Sequence, residues 1–237
     1  ITHLEEIISD FKDHLLSGDL GSKIVKICLF GSHAREEATT YSDVDVLIIT
    51  TNGHGVERAV LDMAYDYLIR HNIPLEVTTL TIDELFPVRD YFLYNVLRHG
   101  KEVYSMEEEG IRKEAAIDLK LLAEEYLEAA SAVLKGGHIR LAIDAAYNAA
   151  GLAAKALILL KGEDLPGSHG EVVGAFSRWY VLPGEVEKEL GRRLHLSLKL
   201  RNDARYKPNA TFTPEEAEEV FSIAEDLIEI ASAKLAL

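Results

Sequence analysis

The chain has 237 residues, of which 48% are hydrophobic, so it can form one large domain or two ordinary ones with real cores. Its net charge of −15 argues against a general duplex-binding protein, because such proteins neutralise phosphates with lysine and arginine. No apolar run approaches the length of a membrane span, and the single cysteine, Cys28, allows no internal disulfide. We therefore expect a cytoplasmic protein without a membrane partner.

The first hundred or so residues alternate between helical and strand patterns. The predicted elements are a helix over 3–17, strands over 23–30 and 43–50, a helix over 56–71 and a strand over 73–80. An aromatic-rich segment, RDYFLYNVLRHG, ends this part of the chain, with Gly100 as a helix stop. Alternation of this kind predicts an α+β domain, in which helices pack against a mixed sheet.

After residues 105–110 the pattern changes to long helices rich in alanine, leucine, glutamate and lysine. The predicted helices cover 111–135, 139–161, 169–180, 185–206 and 214–235. The segment LHLSLKL (194–200) alternates with a period of two, which favours a strand. We assign it to a helix, because an isolated strand among helices would have no backbone partner. The sequence therefore predicts two domains, 1–107 and an all-α domain over 111–237.

Two aspartates interrupt the apolar run 43–50, and a carboxylate on a buried strand is costly without a partner. Because side chains alternate along a strand, Asp43 and Asp45 project from the same face. Two carboxylates so placed can hold a pair of divalent cations, and magnesium suits them. Glu76 would complete the site if its strand neighbours 43–50. Solvated aspartates after a Gly-Ser turn and a glutamate on an exposed strand face are the simpler alternatives.

Gly31 and Ser32 follow the apolar run KIVKICLF. A glycine at a strand-to-helix turn lets backbone N–H groups approach an anion, and the helix start adds favourable partial charge. The Ser32 hydroxyl can donate to a phosphate oxygen, and Arg35 is the nearest fixed positive charge, although it can equally be a surface residue. We expect these residues to bind the phosphates of a nucleotide.

The run from Gly31 to Asp45 resembles the minimal nucleotidyltransferase group of the DNA polymerase β superfamily. It has the family's Gly-Ser, ten intervening residues and Asp-x-Asp, and its segment AREEA (34–38) has Glu36 where the family usually has glycine. The resemblance implies transfer of a nucleoside monophosphate from a nucleoside triphosphate, most commonly ATP, to an acceptor, with release of pyrophosphate. It also implies two Mg²⁺ ions held by the three carboxylates.

The second half resembles HEPN domains, small helical bundles that often accompany this transferase type. The likeness lies in the segments 142–173, with a histidine-containing turn, and 200–227, with an Arg-Asn helix. It implies a homodimer formed through the helical domain and a role in acceptor binding. HEPN ribonucleases use an arginine, a polar residue and a later histidine. Arg201 and Asn202 fit this motif, but Tyr206 stands where histidine is expected, so RNA is not the favoured partner.

These features together predict a nucleotidyltransferase that acts on an unidentified hydroxyl of a small molecule or a protein. One alternative is a HEPN ribonuclease or toxin-like module that the fused transferase regulates. In toxin–antitoxin members of this pairing, the transferase adds AMP to a tyrosine near the HEPN motif, and Tyr206 is the tyrosine to consider here. The other alternative is a non-catalytic nucleotide-binding regulator, which the extra acid at Glu36 favours.

Overall fold

The structure, a computed structural model, describes residues 3–35, 37–39, 42–51 and 55–236. Glu36 lies outside these described residues. The helices are α1 (His3–Ser17), α2 (Gly31–Ala34), α3 (Val56–His71), α4 (Tyr91–His99), α5 (Glu108–Lys135), α6 (Ile139–Leu160), α7 (His169–Phe176), α8 (Lys188–Tyr206) and α9 (Pro214–Leu235). The strands are β1 (Ile24–Leu29), β2 (Val44–Thr50), β3 (Leu75–Thr81) and β4 (Lys101–Ser105). The chain divides into two compact units, Ile1–Ile111 and Arg112–Leu237.

The first unit contains a mixed sheet with the strand order β3-β2-β1-β4. β1 pairs antiparallel with both β2 and β4, whereas β2 and β3 are parallel and are joined through α3. The sequence does not predict β4. This strand has only five residues, begins with the charged Lys101 and Glu102, and lies at the sheet edge, where charged side chains are common.

One face of this sheet is covered by α1 and α3. Phe11 of α1 and Val60 of α3 are buried against a cluster that includes Ile27, Val46 and Ile48 of the two central strands. Each fully buried side chain of this size contributes about 1.5–3 kcal/mol relative to an exposed one. Val46 and Ile48 alternate along β2 and therefore point toward the helices.

The second unit is an all-α bundle in which α6 contacts α7, α8 and α9. Its buried face is rich in alanine, whose small side chain lets neighbouring helices approach closely. The fully buried alanines of α6 are Ala142, Ala146, Ala149, Ala150, Ala153, Ala154 and Ala156. By length and hydropathy α6 could cross a membrane, contrary to the expectation from the sequence, but 67% of its apolar window is buried inside the structure, as in the core helix of a bundle.

The helix ends of the second unit follow local sequence rules. Capping boxes begin both α7, with Ser168 and Glu171, and α9, with Thr213 and Glu216. The segment LHLSLKL lies within α8, as predicted. The helix predicted over 169–180 is shorter, because α7 ends at Phe176 and a π-helical turn, Ser177–Val181, follows. The predicted fold class, an α+β part with a mixed sheet followed by an all-α bundle, is confirmed.

Candidate active site

Gly31 lies directly against the carboxylate of Asp45. The antiparallel pairing of β1 with β2, extended by a hydrogen bond from the Phe30 N–H to the Asp45 carbonyl (3.0 Å), brings the two residues together. A Cβ atom on residue 31 would lie 1.9 Å from Asp45 Oδ2, and the backbone there has a φ of +66°, which favours glycine. The Gly-Ser turn thus forms a cradle, and the carboxylate oxygen of Asp45 occupies the place where a side chain of residue 31 would lie.

Asp45 and Glu76 are register partners in the parallel pair β2–β3. Partners in neighbouring strands lie about 4.8 Å apart and project to the same face of the sheet. Val44 and Val46 are buried in the cluster beneath α1 and α3, so Asp45 faces the opposite side, together with Glu76. Asp45 is half-buried, whereas Glu76 is exposed.

Asp43 lies one residue before β2 and is exposed. Among the residues that the structure describes, no three histidine, cysteine, aspartate or glutamate side chains are close enough together to hold a metal. The structure therefore brings Asp45 and Glu76 together, without gathering Asp43 with them into a three-ligand set. The oxygen donors of the pair fit Mg²⁺, which binds through one or two carboxylates and completes its shell with phosphate oxygens and water. The cradle at Gly31 is consistent with that fit.

Arg35 and Ser32 lie on the same turn as Gly31. Arg35 is exposed, and its Nε donates to Glu37 Oε2 at 2.8 Å. An ion pair so open to solvent contributes little, so Arg35 can exchange it for a phosphate oxygen at small cost. Ser32 is half-buried, and its carbonyl accepts a hydrogen bond from the Glu37 N–H at 3.0 Å.

Sequence reasoning did not assign a role to His33. Its Nε2 lies 3.3 Å from the carbonyl oxygen of Ser42, the residue immediately before Asp43. The contact ties α2 to the backbone that carries the first aspartate. The only sequence signal for it is the position of His33 inside the Gly-Ser motif, which does not distinguish a tether from a surface residue.

A cavity of about 580 Å³, which we call the aromatic cleft, opens beside Gly31. Its lining residues are Phe30, Gly31, Ala34, Arg35, Tyr91, Phe92, Asn95, Val96, His99 and Gly100. Its volume is in the range of small-molecule sites. The lining does not include the three candidate carboxylates. Tyr91, Asn95 and His99 follow helical i, i+4 spacing, and this is the signal in the sequence that could have identified the cleft wall.

The candidate HEPN motif lies in the second unit, with Arg201 buried and Tyr206 exposed. Arg201 is only 5% exposed, and its Nε lies 3.0 Å from Asp144 Oδ1. The two groups form an ion pair, but the geometry does not make a hydrogen bond, and the buried Nε has no hydrogen-bond partner. The Nη1 atom donates to Asn202 Oδ1 at 3.2 Å. Tyr206, with its ring 6.0 Å from Arg201 Cζ, is 68% exposed.

His169 belongs to the same cluster, although the sequence places it only at the start of α7. Its ring lies 5.5 Å from that of Tyr147, a buried residue that also flanks Arg201. Burial lowers the pKa of His169, and the positive charges of Arg201, Lys155 and Arg205 lower it further. Burial also raises the pKa of Tyr147 to about 12. These groups are therefore neutral at pH 7 beside a buried guanidinium.

Each unit matches the model of a known domain family. Residues 4–103 match the nucleotidyltransferase domain, and residues 117–234 match the HEPN domain.

Two similar proteins come from Methanocaldococcus jannaschii. A candidate toxin is 35% identical over 108 residues, which cover 46% of this chain and 79% of that protein. A candidate protein adenylyltransferase is 33% identical over 102 residues, which cover 42% of this chain and 97% of that protein. Among solved structures, a spectinomycin adenyltransferase from Enterococcus faecialis with ATP and spectinomycin overlaps 95% of this chain and 99% of its own, with a TM-score of 0.35 and 13% identity. So low a score carries no argument about function.

Proposed function

Because this chain belongs to the nucleotidyltransferase domain family, with a HEPN-family domain in the same polypeptide, we propose that it moves AMP from ATP onto a hydroxyl group. In this reaction the acceptor oxygen forms a bond to the α-phosphorus, the bond between that phosphorus and the bridging oxygen breaks, and pyrophosphate leaves. The acceptor is a hydroxyl of a small molecule or of a protein.

The observation that carries the proposal is the register of Asp45 with Glu76 beside the Gly31 cradle. The two carboxylates lie on one face of the sheet, next to a turn that begins with glycine. A triphosphate can therefore approach the acidic groups closely. The absence of a side chain on residue 31 lets the Asp45 carboxylate lie directly against the turn that would hold the phosphates.

The residues of the chain have distinct roles in this scheme. Ser32 donates a hydrogen bond to a phosphate oxygen, and Arg35 neutralises charge on the triphosphate. Asp45 and Glu76, with Asp43 joining them when nucleotide is bound, would hold Mg²⁺. When bound, the metal supplies the positive charge that offsets the triphosphate and lowers the pKa of the acceptor hydroxyl. Glu76 or Asp45 receives the proton that the acceptor loses.

Pyrophosphate release tests the proposal directly. The purified chain is incubated with each of the four nucleoside triphosphates and magnesium, and thermal shift reports binding in parallel. We expect release with ATP and an increase in the melting temperature. Asp45→Asn should lower the release rate by about 10³-fold, since catalysis of phosphoryl transfer is mostly charge stabilisation and positioning.

Asp62→Asn is the matched control, because Asp62 is an exposed carboxylate on α3 whose partner, Arg58, lies 4.0 Å away. Its activity should equal that of the wild type. Full activity in a folded Asp45→Asn protein would overturn the proposal. Binding of ATP without any pyrophosphate release, across a panel of hydroxyl acceptors, would instead favour the non-catalytic nucleotide-binding regulator.

Two direct measurements test the identity of the acceptor and the ribonuclease alternative. Tyr206 is 68% exposed at the end of α8, so mass spectrometry after incubation with ATP and magnesium tests whether it gains AMP. An RNA cleavage assay tests the alternative that the second unit is a ribonuclease. The burial of Arg201 against Asp144 gives that alternative no support, because an arginine that acts on a phosphodiester must be reached by it.

We also propose that the domain ranges are 1–107 and 111–237 and that the second domain forms a homodimer. The division of the chain into two compact units supports the ranges. Exposed large apolar side chains of α5, Leu121, Leu122 and Tyr126, support self-association. Light scattering during gel filtration should give twice the monomer mass, whereas a monomer mass at micromolar concentration would refute the dimer.

A further inference from the structure

We propose that the aromatic cleft binds the nucleobase of the donor triphosphate, with Tyr91 as the stacking surface. This inference rests on the proposed function and deepens it, because it assigns the base of the donor to residues that the transferase motif does not contain. We assign the cleft to the base of the donor, and not to the acceptor.

The cleft is continuous with the candidate phosphate site. Gly31 lines the cleft and at the same time lies against Asp45 Oδ2, and Arg35 lines it as well. A ligand at this end of the cleft therefore contacts Gly31 and Arg35, which also belong to the candidate phosphate site. Of the two reactants, the donor nucleotide has a phosphate chain joined through ribose to an aromatic base, which matches a cavity that begins at a phosphate cradle.

The opposite wall is held rigidly against β1. Asp90 caps α4 by accepting a hydrogen bond from the Leu93 N–H at 2.9 Å. At the other end of the helix, a Cβ atom on Gly100 would lie 2.7 Å from the Leu29 carbonyl oxygen. Only a glycine lets the chain pass so close to the strand that ends at the cradle. The C-terminal end of this wall therefore packs directly against the strand that leads to the cradle.

The side chains of the cleft suit a flat aromatic ligand. Phe30 and Phe92 meet edge to face, with their ring centroids 5.2 Å apart. Tyr91 is 78% exposed, although it lines a cavity and belongs to a helix with an apolar buried side. Tyrosine and phenylalanine rings bind nucleobases by stacking, which tolerates any base. An exposed tyrosine at the mouth of such a cavity provides a free face for that contact.

Asn95 supplies the polar contact. Its Nδ2 donates to the Tyr91 carbonyl at 2.8 Å, so Oδ1 is the atom with which it can accept a hydrogen bond from a ligand. The exocyclic amino group of adenine is a matching donor, so Asn95 can contact the base of ATP.

Isothermal titration with two ligands separates base binding from phosphate binding. ATP and inorganic tripolyphosphate are each titrated, with magnesium, into the wild type, Tyr91→Ala and Tyr91→Phe. We expect Tyr91→Ala to weaken ATP about 10-fold, as for loss of one stacking contact, without changing tripolyphosphate affinity. Tyr91→Phe should bind ATP within about 2-fold of the wild type, because the ring face is kept. Tyr65→Ala, which removes a tyrosine that is 62% exposed on α3, is the control.

The outcomes separate this inference from the proposed reaction. If Tyr91→Ala binds ATP like the wild type, the base does not stack in the cleft, and the inference fails even when pyrophosphate is released. An equal loss of ATP and tripolyphosphate affinity would also overturn it, because the defect would then lie in the phosphate site. If Tyr91→Ala loses affinity for ATP but not for tripolyphosphate, and the wild type never releases pyrophosphate, base binding is upheld and the transfer reaction is refuted.

Discussion

The carboxylate of Asp45 occupies the space that a side chain on residue 31 would need, since Oδ2 lies 1.9 Å from the position of that Cβ atom. Gly31→Ala should therefore displace Asp45 and strain a backbone whose φ is +66°. We expect a loss of about 1–2 kcal/mol from the left-handed conformation alone. We also expect a fall in transfer rate of about 100-fold, because small displacements of positioned groups are costly. Urea unfolding and pyrophosphate release measure the two effects.

Gly170→Ala is the control for that substitution. Gly170 lies in α7, and a Cβ atom there would have no neighbour within 4 Å. This variant should be at least as stable as the wild type, because alanine favours the helix by about 1 kcal/mol over glycine. A Gly31→Ala protein with wild-type activity would mean that Asp45 does not act from its observed position.

Arg35 should affect nucleotide binding without affecting stability. Its ion pair with Glu37 is exposed, with 59% and 64% of the two side chains accessible, so its loss changes the free energy of unfolding by less than about 1 kcal/mol. If Arg35 contacts the triphosphate, Arg35→Ala raises KM for ATP about 10-fold, which is typical of one charge-assisted hydrogen bond. Glu37→Gln removes the competing carboxylate and should leave KM unchanged or lower. Equal KM values in all three proteins would place Arg35 outside the site.

Arg201 should act on stability. Its guanidinium is buried beside Asp144, so Arg201→Ala leaves a partly buried carboxylate that keeps the longer contact to Arg205 at 3.5 Å. We expect a loss of about 2–3 kcal/mol in the free energy of unfolding, because breaking such a pair leaves a charge uncompensated. Arg205→Ala, at a site that is 47% exposed, should cost less than about 1 kcal/mol. Comparable losses in the two variants would contradict a structural role for Arg201.

His169 gives the second unit a defined response to acid. Burial and the charges of Arg201, Lys155 and Arg205 lower its pKa, and Asp144 opposes them. The unfolded chain therefore binds a proton at His169 near pH 6.5, before the folded chain does. The stabilisation is complete above that pH and is lost as the pH falls through the folded-state pKa. Unfolding by urea at pH 7.5 and at pH 5 should show a smaller acid-induced loss for His169→Gln than for the wild type.

The local elements follow from the sequence because they depend on neighbouring residues. The helix predicted over 56–71 is α3, with the same ends, since its apolar residues recur at helical spacing. β4 is missed, because a five-residue edge strand with two charged residues is stabilised by its pairing with β1 rather than by its own pattern. The spacing of Gly31-Ser32 and Asp43-x-Asp45 identifies the motif. The pairing of Asp45 with Glu76 is a tertiary property, because the sequence does not specify the register of β3 on β2.

The residues around Arg201 are likewise only partly predictable from the sequence. The motif residues Arg201 and Asn202 are visible in the sequence, but Asp144, Tyr147 and His169 come from two other helices and are brought to them by bundle packing. The aromatic cleft likewise joins two segments that are about sixty residues apart in the chain. Periodicity can place Tyr91, Asn95 and His99 on one helix face, but it does not show which segment packs beside that face.

β2 and β3 pair in parallel, so the position of Glu76 beside Asp45 depends on the number of residues within β3. It does not depend on the length of the connection between the two strands. Residues added within the helix-containing crossover leave the alignment of backbone partners intact. A slip of a single residue along the ladder would instead place Leu75 or Val77 beside Asp45 and turn Glu76 toward the apolar helices. Homologous chains are therefore expected to vary in the crossover and to conserve the number of residues between the start of β3 and its glutamate.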